Sequence, residues 1–141
     1  MRVRRIGGAG IVMLLLAGVG WTAELTEKTS EAVCSITQIQ VCRSGSECKT
    51  SAPADLGTPD LVLVSLEDKA FFALGEAHAG KRSEFRVVER TAARWVLQGY
   101  ERNRAWSAII GAEGGLSLAA ADTGVAISAS GRCVDAAWLR D

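Results

Sequence analysis

Four cysteines, one histidine and a stretch dense in arginine are the residues of this chain whose chemistry could define a site. The cysteines stand at Cys34, Cys42, Cys48 and Cys133. None are spaced Cys-x-x-Cys, and the lone His78 gives zinc no imidazole cluster to join, so no metal site is expected. In an oxidising compartment an even count reads as two disulfides instead. Arg43-Ser44-Gly45-Ser46-Glu47 is polar and centred on Gly45, so a hairpin there sets Cys42 opposite Cys48. That leaves Cys34, near the first strand, to join Cys133, near the end of the last.

The basic stretch spans residues 81–104. It holds Lys81, Arg82, Arg86, Arg90, Arg94, Arg102 and Arg104 against Glu84, Glu89 and Glu101. Period-two alternation puts Phe85 and Val87 on one side of a strand and Glu84, Arg86, Val88 and Arg90 on the other. Arg94 would neighbour them across the next turn. Arg86, Arg90 and Arg94 are therefore expected to share one exposed face, where guanidinium groups can hold carboxylates or phosphates bidentately. The expected partner is a protein or another anionic molecule.

Catalytic constellations are missing. Asp122-Thr123-Gly124 resembles the catalytic triplet of aspartic proteases, but that chemistry needs two carboxylates sharing one proton. The hydrophobic-hydrophobic-Gly motif that follows the triplet in the dimeric retroviral-type enzymes here precedes it, as Ile109-Ile110-Gly111. Asp-Thr-Gly reads as a hairpin turn. His78 sits in the glycine-flanked loop 75–80, and the chain has no Gly-x-Ser-x-Gly elbow to serve a Ser-His pair. Gly111–Gly115 lacks the Lys-Ser/Thr of a phosphate-binding loop. The chain reads as non-enzymatic, with no cofactor.

These residues need a scaffold, and the N-terminus is not part of it. Met1–Arg5 is basic and Ile6–Gly20 is uncharged and apolar, the pattern of a secretory signal peptide. Fifteen residues rise about 22 Å as a helix, short of the roughly 30 Å hydrocarbon core. Cleavage is expected after Gly20 or Ala23, giving a periplasmic or secreted product with no stable membrane anchor. The 141 residues carry 16 basic and 16 acidic groups, but Arg2, Arg4 and Arg5 lie in the leader. The remaining body is thus acidic by three charges and has no general nucleic-acid footprint. Its 48% hydrophobic and 23% charged composition is that of one globular domain.

From Val33 onward turn signals recur every 8–12 residues or so with no helical period, an all-β signature. Strands are expected near 33–42, 47–51, 60–66, 70–75, 84–90, 94–100, 105–110, 116–121 and 125–133. A turn at Arg102-Asn103 opposes Gly99 to Trp106, Leu97 to Ala108 and Trp95 to Ile110. Turns at Gly111–Gly115 and Thr123-Gly124 then carry the same inward face through Leu116, Leu118, Ala120, Val125, Ile127 and Ala129 to Cys133. That run of Leu, Ala, Val and Ile suits a filled interior. Along Val33–Cys42 the alternation breaks near Thr37-Gln38, which a β-bulge explains. Sequential hairpins with a first-to-last staple predict an antiparallel up-and-down barrel of about eight strands; a β-sandwich is the alternative. The layout is a signal peptide at 1–20, an extension at 21–32, the barrel at 33–133 and a tail at 134–141.

A small exported barrel closed by Cys34 and Cys133 is similar in outline to bacterial periplasmic inhibitors of C-type lysozyme. The final strand, Gly124 to Cys133, also resembles the ending of small uncharacterised exported bacterial proteins. The first resemblance implies an inhibitor-like binding role, and it brings no site residue with it. A structural or envelope-interaction role without a small ligand is the alternative.

Overall fold

The computed structural model describes residues 24–140; the signal-peptide reading, residues 1–20, lies outside them. Nine strands form one antiparallel sheet: β1 Glu31–Arg43, β2 Lys49–Ser51, β3 Leu61–Ser65, β4 Ala70–Ala73, β5 Arg82–Arg90, β6 Arg94–Glu101, β7 Arg104–Gly111, β8 Gly115–Asp122 and β9 Val125–Asp135. Strand β1 pairs with β9 along nearly its whole length, and its other edge takes β3 at one end and β2 at the other. Strands β1 and β3 to β9 thus close an eight-stranded barrel, with β2 as a short flap on the upper half of β1. The fold is the expected barrel, not a sandwich.

The turns are those the residues dictate. Arg102 (φ 48°) and Asn103 (φ 67°) are both left-handed between β6 and β7, as a tight two-residue hairpin requires. Gly124 (φ 84°) turns β8 into β9, where Asp122 pairs with Val125. The registers follow: Trp95 faces Ile110, Leu97 faces Ala108, and Gly99 faces Trp106. A Cβ on Gly99 would lie 2.2 Å from the Trp106 ring, so glycine is what lets the indole lie over β6. Gly131 is tighter still. Its missing Cβ would fall 1.9 Å from the Ser35 carbonyl oxygen, beside the bulge that shifts β1 against β9 between Ile36 and Gln38.

Both expected disulfides are formed, Cys34–Cys133 and Cys42–Cys48. The bulge at Thr37 lies beyond Cys34, so Cys34 still points inward and sits in register with Cys133. Such bonds belong to an oxidising, non-cytoplasmic environment.

The barrel is filled at its base. Leu97, Ile110, Val64 and the Cys34–Cys133 pair are fully enclosed there, among Trp95, Ala108 and Leu116. Residues 24–30 close the floor from beneath. Leu25 is buried and its N–H donates to the Ala112 carbonyl, while the Thr29 hydroxyl donates to Asp135. At the other end of the chain a short 3-10 turn, Ala136–Leu139, is capped by Asp135 and buries Ala136.

Candidate functional site

The three arginines do not share a face. Phe85 is buried and Arg86 exposed, as alternation requires. Between Val87 and Glu89, however, the ladder with β6 slips by one residue. Val88 is the extra residue of a β-bulge and lies outside, 52% exposed. Everything after it changes side, so Arg90 pairs opposite the buried Trp95 at the barrel floor. Its guanidinium donates at 2.9 Å to the Glu27 and Thr29 carbonyls, pinning the segment that closes the base. Arg94 points outward and pairs with Glu89 at 3.2 Å. Arg86 donates to Gln98, four residues from Arg94 along β6, or roughly 13 Å at the usual strand rise. The slip is invisible in Arg-Val-Val-Glu-Arg, since either valine can face in.

The other chemical candidates are also dispersed. His78 lies on a 3-10 turn, Glu76–His78, with the Lys81 ammonium 3.3 Å from its Nδ1. The Asp122 carboxylate accepts from Arg104 at 3.0 Å instead of bonding within its own turn. Among the described residues no cluster of His, Cys, Asp and Glu could hold a metal.

What the strands build together is a cup. The upper half of the barrel is not filled: a cavity of about 500 Å³ opens at the end where β1, β6 and β8 finish. Its wall is apolar and comes from almost every strand: Ile36, Ile39 and Val41 on β1, Val62 on β3, Phe71 and Ala73 on β4, Leu118 and Ala120 on β8, Ile127 and Ala129 on β9. The inward residues identified from sequence are the right ones, but many are too small to meet across an eight-stranded barrel. Alanine at 73, 120 and 129 leaves space where leucine would fill it. The expectation of a filled interior therefore holds for the base and fails for the mouth.

An aromatic step separates the two halves. Phe71, Phe85 and Trp106 meet edge to face with ring centroids 5.2–6.3 Å apart, and Phe71 and Trp106 also line the cavity. Such pairs each contribute about 0.5–1.5 kcal/mol beyond area burial, so the floor of the cup is rigid. Over one side of the mouth lies the 53–60 loop, which follows β2 and presents Leu56, Thr58 and Pro59 to the cavity. Leu56 remains 45% exposed, an apolar side chain at the entrance.

The rim is polar. Register places Glu101 opposite Arg104, and Asp122 and Arg43 each opposite Val125, so these side chains fall in one row around the opening. Arg104 is held by Asp122 through one terminal nitrogen, and its Nε is buried without a hydrogen-bond partner. The Ser83 hydroxyl, also facing the cavity, is likewise buried and unpartnered.

Fold and site together define a small, disulfide-closed up-and-down barrel with a plugged base and an open apolar cup. Against known proteins the chain matches no family model, no curated protein and no solved structure.

Proposed function

We propose that this protein is an exported, non-enzymatic binding protein, periplasmic or secreted, that carries a small apolar or amphipathic molecule in the open end of its barrel. The basic, apolar leader and the two disulfides support export. The observation that carries the binding role is the cavity itself: about 500 Å³ of apolar space with a few convergent polar groups. Ligand sites have this form, and mouths of barrels are a common place for them. The anionic partner expected at Arg86, Arg90 and Arg94 fits the mouth better, because those three arginines are spread over two faces and one of them braces the floor.

The test is titration of the purified, disulfide-bonded protein with the neutral solvatochromic dye Nile red. Bound dye should fluoresce strongly, and Ala120→Trp, which fills the cup from β8, should abolish the signal while circular dichroism stays that of a β-barrel. Equal dye binding by both folded proteins would refute a ligand site in the cup.

A further inference from the structure

We infer that the ligand of the cup is a single-chain amphiphile with an anionic head, a carboxylate, whose chain descends onto Trp106 while its head is held at the rim by Arg104 and Ser83. This deepens the reading of the cup as a ligand site and rests on it.

The first argument is hydrogen bonding. Arg104 Nε and Ser83 Oγ are the two buried side-chain polar atoms without partners among the described residues, and both belong to residues lining the cavity. They sit at the same level of the sheet, on strands either side of β6. Two residues before the Phe85–Gly99 pair, Ser83 comes level with Glu101, and Glu101 pairs with Arg104. A guanidinium N–H can only donate, and a hydroxyl can donate as well. Two unpartnered donors lining one cavity are complementary to an acceptor, and a carboxylate accepts two at once.

The second argument is charge. The ionisable residues lining the cavity are Arg43, Lys81, Arg82, Arg104 and Glu101. Arg104 is offset by Asp122, and Arg82 is turned toward Glu84 and the outer Phe72 ring. Arg43 and Lys81 form no ion pair within the described residues, against the single exposed Glu101. The rim is positive by one charge after every internal pair is counted, which favours an anion over a cation.

The third argument is shape. From Val125 to Ala129 the wall runs four residues, roughly 13 Å of strand. A strand tilt of about 40° reduces this to about 10 Å of depth above the aromatic step. That depth takes one extended chain of medium length, and the Ala73, Ala120 and Ala129 positions give it width for a methylene chain.

The experiment is calorimetric titration of the disulfide-bonded protein with decanoate, decanol and decylamine, which share a chain and differ in the head. Decanoate should bind at least tenfold more tightly than the other two, the usual worth of a charge-assisted hydrogen bond. The paired change Arg104→Met with Asp122→Asn removes the donor without leaving an unmatched carboxylate, and should bring decanoate down to the affinity of decanol. If decanol or decylamine binds as well as decanoate, or if the paired variant keeps the preference, the head-group assignment is wrong while the cup remains a ligand site. If none of the three binds and Nile red also fails, the cup reading falls with it.

Discussion

Removing the Cys34–Cys133 bridge should cost the barrel more stability than removing any other single link. The perturbation is the paired change Cys34→Ala with Cys133→Ala, which leaves no free thiol. The bridge spans 99 residues, and chain-entropy arithmetic for that loop gives about 4.7 kcal/mol. The Cys42–Cys48 bridge spans 6 residues, for which the same arithmetic gives about 2.2 kcal/mol. Burial widens the gap. Cys34 and Cys133 lie in the core at 0% and 2% exposure, so alanine there also loses sulfur contacts, whereas Cys48 is at the surface. Urea unfolding followed by tryptophan emission measures both variants. With a slope near 1.5 kcal/mol/M, the long-bridge variant should unfold roughly 3 M earlier than the parent and the short-bridge variant about half as far. If Cys42→Ala with Cys48→Ala proves equally or more destabilising, the barrel is not held by its first-to-last staple.

Three further outcomes follow from the packing and the leader. Gly131→Ala should destabilise by about 2 kcal/mol or more on thermal denaturation, because its new methyl would fall 1.9 Å from the Ser35 carbonyl oxygen; a cost under about 0.5 kcal/mol would show that the bulge opposite Gly131 yields. Arg90→Met removes two hydrogen bonds that hold the floor segment, so amide exchange at Leu25 should rise tenfold or more while exchange at Leu97 stays unchanged. Equal acceleration at both amides would mean that the floor and the barrel open as one unit. Intact-mass measurement of protein from its native host should lack the first twenty or so residues, and a membrane-bound species retaining Met1–Gly20 would overturn export with cleavage.

Local rules made most of this fold legible. Positive-φ turn residues at Arg102-Asn103 and Gly124, with inward residues at every second position, specified the registers of β6 to β9 without tertiary information. The symmetric spacing of Cys42 and Cys48 about Gly45 was enough for the short disulfide, and the long one followed by elimination. The site was less legible, for two physical reasons. At Val87-Val88 both side chains are apolar, so the sequence carries no sign of which one the bulge excludes, and Arg90 changes face unannounced. The cup depends on a circumference. Residue types tell which side chains point inward, but whether alanines and valines touch across the middle depends on how many strands close the ring and at what tilt. Residues 24–30 show a related gap, since one leucine at 25 in a polar segment does not reveal that it seals a floor.

The pairing of β1 with β9 also sets a timetable. The barrel cannot shut until its last strand has been made and has found its first, across nearly a hundred residues of chain. While the C-terminal residues are missing, β1 and β8 each lack the neighbour that β9 supplies, and Cys34 lacks its native partner thiol. Contacts this remote in sequence make folding slow. On the export route proposed above, the chain would cross a membrane unfolded, and slowness of this kind would be useful. Closure would then wait for the compartment where Cys133 arrives and oxidants are present, so that completing the ring and forming the staple become one late event.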